Sequence, residues 1–381
     1  MRMAVVCAVM MLLLVKNGDA LNFVAYGDTR DNPAEHTQLI AQMAKDSPQV
    51  VLHVGDLWGG TGPASWKATV TSQPGIAALL TANKFLVARG NHETEAEVLA
   101  FAPMLVRHDS ILYSFIEGNS FFVCMGYDPG LNNTWLETQL SSAPAQSAAW
   151  RFIWVHKPIY STGSHGADGS TSEGTSIVNF RSLCDKYNVN IVFSGHDHIY
   201  ERTKLIHNGQ VADSTNNIPA TASGTVYLLT GGGGAPLYSV VVMPPWWRKF
   251  GQSVYEYCVI QAGSDSLVMT AKKGDGTLLD RFVWQKAATG ARTFTAANTT
   301  GNNSGLTVHH GVLSLTLVTP GKAFLRLYDL SGRILADFSK DCKTMRTGAN
   351  SVVTGIFLKG VYVAEFCDGK SVIVRTVSMT E

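Results

Sequence analysis

From Leu21 to about Trp284 the chain alternates short runs of β-branched and aromatic residues with stretches of helical period. The runs Asn22–Tyr26, Val50–Val54, Phe85–Ala88, Phe152–Val155, Ile191–Phe193 and Val226–Leu229 predict buried strands. Thr37–Lys45, Trp66–Leu80, Thr94–Phe101, Thr134–Leu140 and Ser176–Tyr187 predict helices between or beside them. That alternation confines the segment to the α/β class, in which helices cover a sheet. Phe115–Met125, Tyr255–Gln261, Leu267–Ala271 and Leu278–Trp284 add hairpin-like strands, so the expected architecture is a layered, mixed β-sheet sandwich flanked by helices.

The two ends differ from this body. Arg2, the apolar run Ala4–Val15 and the small residues Gly18 and Ala20 predict a secretory signal over residues 1–20, cut before Leu21. The α/β body is then 21–285. Residues 286–305, rich in Ala, Thr, Asn and Gly, have linker chemistry. Residues 306–381 read as short strands (Val312–Val318, Phe324–Tyr328, Gly355–Leu358, Val361–Phe366, Ser371–Val377) with turns at Ser331-Gly332 and Asp368-Gly369, which predicts a small all-β sandwich. Without residues 1–20, basic and acidic groups balance, so nucleic-acid binding by bulk charge is excluded. Cysteines 124, 184, 258, 342 and 367 show no C-x-x-C spacing, which excludes a thiolate zinc site. The first three are expected as core thiols, and Cys342 and Cys367 as the pair able to bridge within the tail.

Five motifs close predicted strands: Gly27-Asp28-Thr29-Arg30, Gly55-Asp56-Leu57-Trp58, Gly90-Asn91-His92-Glu93, Trp154-Val155-His156-Lys157-Pro158 and Gly195-His196-Asp197-His198. Ligands of α/β proteins sit at the carboxyl ends of strands. Gathered there, these residues supply two carboxylates, an amide and several imidazoles, a mixed oxygen and nitrogen set suited to first-row metals. A carboxylate can bridge two such ions, and a hydroxide on them is a nucleophile near neutral pH. The glycine before each ligand is read as permitting a sharp strand-to-loop turn.

In this order the motifs resemble the calcineurin-like metallophosphoesterases, and the purple acid phosphatase branch in particular. Gly90–Glu93, His156-Lys157-Pro158-Ile159-Tyr160-Ser161 and the run from Gly195 to Tyr200-Glu201-Arg202 carry the likeness. The resemblance implies two metal ions drawn from Fe, Zn and Mn. Asp56 would bridge them, Asp28 and His198 would complete one shell, and Asn91, His156 and His196 would bind the other. His92 would contact the phosphoryl group or protonate the leaving group, and His165 would contact substrate. Two positions depart from the pattern. Arg30 stands where the wider family has histidine, and Gly59 where the purple acid phosphatases have tyrosine. Arg30 is therefore read as a candidate phosphate-holding residue, since guanidinium pairs bidentately with phosphate. Gly231–Gly234 lacks the lysine of a nucleotide loop and is read as a backbone turn beside the metals.

The tail resembles the C-terminal sorting domains of bacterial type IX secretion, through Leu327-Tyr328-Asp329-Leu330-Ser331-Gly332-Arg333 and Lys359-Gly360-Val361-Tyr362-Val363. The expectation is an exported or surface-held bacterial hydrolase that attacks small phosphate monoesters with a metal-bound hydroxide and meets secretion machinery through its tail. The alternatives are a phosphodiesterase or nucleotidase on the same centre, and a surface binding protein that has lost catalysis.

Overall fold

The computed structural model describes residues 20–60, 62–101, 110–166 and 175–286, and the backbone of seven strands between 305 and 379. Most of the expected signal segment and linker, the tail turns, the strand expected at Gly355–Leu358 and Cys342 lie outside the described residues.

In chain order the body runs β1 (Leu21–Tyr26), α1 (Pro33–Lys45), β2 (Val50–His53), α2 (Gly62–Val70), α3 (Pro74–Thr81), β3 (Phe85–Val87) and α4 (Glu95–Phe101). It continues with β4 (Tyr113–Glu117), β5 (Ser120–Cys124), α5 (Asn133–Leu140), α6 (Ala143–Ser147), β6 (Trp150–Trp154), α7 (Thr175–Lys186) and β7 (Ile191–Ser194). Then come β8 (Tyr200–Thr203), β9 (Leu205–His207), β10 (Gln210–Asp213), β11 (Asn217–Ile218), β12 (Val226–Thr230), β13 (Arg248–Gln252), β14 (Glu256–Ala262), β15 (Ser266–Lys273) and β16 (Leu278–Gln285).

These strands make two seven-stranded mixed sheets, ordered β11-β16-β15-β14-β1-β2-β3 and β13-β8-β12-β7-β6-β5-β4. Strands β1, β2 and β3 run parallel in the first sheet, and β5, β6, β7 and β12 in the second. The sheets pack face to face through aromatic edges. The Phe23 ring on β1 meets Phe122, Phe152 and Phe193 of the opposite sheet at 5.2, 4.9 and 6.0 Å, all three in the edge-to-face geometry that ring quadrupoles favour. A buried ion pair also joins them. Arg202 on β8 meets Asp280 on β16 at 2.6 Å through Nε and 3.0 Å through Nη2, and the Tyr200 hydroxyl donates to the same carboxylate at 2.9 Å.

Helices cover the outer faces. α1 starts at an Asn32 side chain that accepts from Glu35 N, with Pro33 first in the helix, and it buries His36, Leu39, Ile40 and Met43. On the other side α5 and α7 bury Leu136, Leu140, Phe180 and Cys184 against Val123, Ile153 and Val192. The single helix expected over Trp66–Leu80 is two, α2 and α3. Pro74 cannot donate to the preceding turn and forces Gln73 into extended backbone (φ −112°, ψ 120°). Cys124, Cys184 and Cys258 are buried free thiols. Among the described residues no helix is long and apolar enough to cross a membrane.

Beyond the body lie β17 (Gly305–His309), β18 (Val312–Leu317), β19 (Phe324–Tyr328), β20 (Ile334–Asp337), β21 (Gly348–Val352), β22 (Gly360–Cys367) and β23 (Val372–Met379). They form two small sheets, β17-β18-β21 and β20-β19-β22-β23, antiparallel throughout.

Candidate metal centre

Asp28 and Asp56 follow β1 and β2 of one sheet, and His156 and His196 follow β6 and β7 of the other. Asn91 and His92 come from the loop after β3. The site thus lies where the carboxyl ends of parallel strands from both sheets meet. Three of its members hold left-handed backbone, Asp28 at φ 57°, Asp56 at 55° and His196 at 75°. Such conformations cost on the order of 1–3 kcal/mol each and cluster at functional sites.

The glycines serve differently from the turn role expected of them. Of Gly27, Gly55, Gly90 and Gly195, Gly55 has positive φ (105°). The other three are needed for close approach. A Cβ on Gly90 would strike the Asp56 backbone and carboxylate, one on Gly195 the Asp28 carboxylate, and one on Gly27 the Val54 side chain. The Gly231–Gly234 turn does lie against the site: Gly233 N donates to Gly27 O, and Ala235 N to Asp28 O, at 2.8 Å each.

His156 fixes the chemistry of the inner half. Its Nδ1–H donates to the Val54 carbonyl at 2.9 Å, so Nε2 carries the lone pair. That lone pair faces Asn91 Oδ1 at 3.0 Å, Asp56 Oδ1 at 3.3 Å and His196 Nδ1 at 3.2 Å. His198 is set the same way. Its Nδ1–H donates to Pro236 O at 2.7 Å, leaving Nε2 3.8 Å from Asp28 Oδ1. Ligand atoms of Asp28, Asp56 and His156 all lie within 4.8 Å of one another.

Burial keeps these imidazoles neutral at physiological pH. It lowers His156 and brings His196 and His198 each down to about 4. Burial, then the Asp56 charge, raises Asp28 well above the carboxylate range. For Asp56 burial pushes upward, but His156, the His92 N–H, the His92 charge and Arg30 together hold it below its ordinary value. Unprotonated nitrogens and carboxylate oxygens converging on one another form the donor set that a divalent cation relieves. Asp56, Asn91, His156 and His196 fit that requirement.

The remaining expected residues ring this centre. His92, with a 40% exposed side chain, has Nε2 3.7 Å from Asp56 Oδ2, while its backbone N–H donates to Asp56 Oδ1 at 3.1 Å. The Arg30 Nε lies 3.4 Å from Asp56 Oδ2 and its Nη2 3.5 Å from His198 Nε2. The His165 ring sits 4.5 Å from that of His196, and its backbone N–H donates to Asp197 at 2.9 Å.

Four contributors carried no separate signal in the chain. Glu93 accepts from Gly90 N at 2.8 Å and from Leu57 N, tying the Asn91 loop to the Asp56 loop; burial, then the Asp56 charge, lifts it to about 7. Asp197, between the two histidines, instead holds the 161–165 loop through the Ser161 hydroxyl and His165 N. Tyr238 stacks on His198 at 4.2 Å between ring centres, and Tyr127 on His156 at 5.9 Å. A cleft of about 500 Å³, lined by Thr162, Gly163, Ser164, Leu237, Tyr238 and Ser239, opens at this rim. The Tyr200-Glu201-Arg202 run has structural duties: Tyr200 and Arg202 bind Asp280, while Glu201 accepts from Thr162 N at 2.7 Å and Arg248 Nη1 at 3.0 Å.

Residues 21–200 match the family model for calcineurin-like phosphoesterases. A nucleotide pyrophosphatase/phosphodiesterase of Hordeum vulgare is 26% identical over 62% of this chain and 72% of its own length. A protein of Arabidopsis thaliana named "Probable inactive purple acid phosphatase 1" is 26% identical over 65% of this chain. A phosphoenolpyruvate phosphatase of Allium cepa is 28% identical over 50%. The chain spans less than half the length of these last two, 45% and 44%. Among solved structures, a purple acid phosphatase from yellow lupin seeds superposes with a TM-score of 0.61 at 21% identity, over 71% of this chain and 55% of that one. GAP50, the anchor in the inner membrane complex of Plasmodium, superposes with a TM-score of 0.52 at 14% identity, over 71% and 90%. Residues 21–200 are thus similar to the calcineurin-like phosphoesterases, the chain has purple acid phosphatase-like relatives, and its layered two-sheet fold is the one seen in the lupin structure.

Proposed function

We propose that the chain is an exported, metal-dependent hydrolase of small phosphate monoesters. The observation that carries this reading is the convergence of Asn91 Oδ1, His196 Nδ1 and Asp56 Oδ1 on the unprotonated Nε2 of His156, each within 3.3 Å of that nitrogen. Cations of Fe, Zn or Mn held there supply Lewis-acid polarisation of phosphoryl oxygens and acidify water enough to react near neutral pH. The chain's own groups do the rest. Arg30 binds a phosphoryl oxygen through N–H groups not engaged with Asp56, His198 or Asp31. His92, on the exposed side of Asp56, gives a proton to the departing alkoxide. His165 contacts the phosphoryl group from the opposite rim, and the cleft beside Tyr238 takes the organic part of the ester.

Phosphate release from an aryl phosphate, with Mn, Zn or Fe added to the full chain, tests this directly. Asp56→Ala must abolish turnover, and unchanged turnover would eliminate the mechanism. The barley relative's name favours a second reading, a phosphodiesterase on the same centre. Faster hydrolysis of a bis-aryl diester than of the monoester would select it. Export rests on the amino-terminal pattern and sorting on the tail motifs. Mass spectrometry of the protein released by its bacterial host should find Leu21 as first residue.

A further inference from the structure

The outer half of the centre differs from the inner half in holding a side-chain cation. We propose that the Arg30 guanidinium takes the place of the second metal ion in this chain, so that one tightly bound metal works beside one fixed organic charge. The inference rests on the metal-dependent reading above and departs from the two-ion expectation.

Three residues build the device. Asp31 adopts left-handed backbone at φ 74°, and its carboxylate grips Arg30 Nη1. Gly59 makes room for that carboxylate: a Cβ there would run into Asp31 and come within 3.4 Å of Arg30 Cβ. The two departures noted in the sequence, Arg30 and Gly59, are therefore one coupled exchange. A side chain at 59 would evict Asp31, and without Asp31 the guanidinium loses its anchor. So held, with a side chain only 16% exposed, Arg30 places Nε 3.4 Å from Asp56 Oδ2 and Nη2 3.5 Å from His198 Nε2.

Those two atoms are ones that a second metal would need. Such an ion would bind Asp28, Asp56 and His198 at about 2.0–2.2 Å, in the space the guanidinium nitrogens face. Arginine stays protonated at any working pH, so a second metal would meet a permanent like charge, with only three protein ligands to hold it. The inner set, which shares Asp56, brings four side chains together: Asp56, Asn91, His156 and His196. Of the five guanidinium N–H groups, one on Nη1 is engaged with Asp31 and one on Nη2 with His198, while Nε faces Asp56 as an ion pair without a hydrogen bond. The second N–H on Nη1 and on Nη2 remains for a phosphoryl oxygen, the contact a second metal would otherwise make.

Metal counting decides the matter without recourse to turnover. The full chain is equilibrated with manganese, gel-filtered, and assayed for manganese per chain by mass spectrometry, with the electron paramagnetic resonance spectrum recorded alongside. The wild-type protein should carry one ion with an uncoupled six-line spectrum. Arg30→His, which removes the charge and supplies an imidazole, should carry two ions with an exchange-coupled spectrum. Two coupled ions in the wild type would overturn the inference and leave phosphoester hydrolysis standing. So would a folded Arg30→His that still binds one. One ion without phosphate release supports the inference and removes the hydrolase reading, whereas no bound ion overturns both. The wild-type count decides alone if the variant fails to fold.

Discussion

Gly90→Ala should disable the centre while leaving every ligand in place. A Cβ on Gly90 would fall well inside contact distance of Asp56 Oδ1 and the Asp56 backbone N, and 3.0 Å from its Cα. The backbone cannot yield there cheaply. Glu93 ties Gly90 N to Leu57 N, and Asp56 already holds left-handed φ. The Asn91–His92 loop and Asp56 must therefore separate by roughly 1 Å, and a displacement of that size costs on the order of 100-fold in rate. That is about 2.7 kcal/mol of transition-state stabilisation. Steady-state phosphate release from an aryl phosphate should fall by about two orders of magnitude while circular dichroism stays native. Gly75→Ala is the control, because nothing lies within 4 Å of its Cβ in α3. It should leave turnover unchanged and add about 0.5–1 kcal/mol of helix stability. A folded Gly90→Ala protein within threefold of wild-type turnover would show that close loop approach does not set the geometry.

Asp280→Ala strips Arg202 of its partner between the sheets and should cost about 3–5 kcal/mol, a melting shift of about 6–10 °C. Burial works to raise Asp280, but the Arg202 and Tyr200 hydrogen bonds and the Arg202 charge hold it below the ordinary carboxylate value. Its stabilisation is thus full above about pH 4 and fades as acid protonates it; a wild-type-to-variant gap that stays constant down to pH 2 refutes the pairing. Glu256 is raised by burial to about 8 with Thr230 as partner. The folded state then binds a proton that the unfolded state has lost between about pH 4 and 8. Glu256→Gln should match wild-type melting near pH 4 and exceed it increasingly toward pH 8, and parallel profiles count against this. Manganese at about 100 times its Kd should stabilise the chain by about 2.7 kcal/mol, near 5 °C, and chelation should reverse it. A melting point insensitive to manganese contradicts the donor-set argument.

The chain itself determined those elements whose signal is local. Strands such as Leu21–Tyr26 and Ile191–Ser194 are legible because they are buried on both faces over most of their length and so read as near-continuous apolar runs. The candidate site residues Asp28, Asp56, Asn91, His156, His196 and His198 are legible because each polar group stands just past such a run. Tertiary structure alone decided how the strands divide between two sheets. Pairing joins residues distant in the chain, as β1 does with β14, and no local pattern encodes that register. Short or polar strands such as Gln210–Asp213 and Arg248–Gln252 exist because a partner edge is there to pair with. The same reason hid Glu93, Asp197 and Tyr238, which act through contacts across loops and not through neighbours in sequence. It also hid what Gly59 is for: its missing side chain matters because Asp31, from another loop, occupies the space.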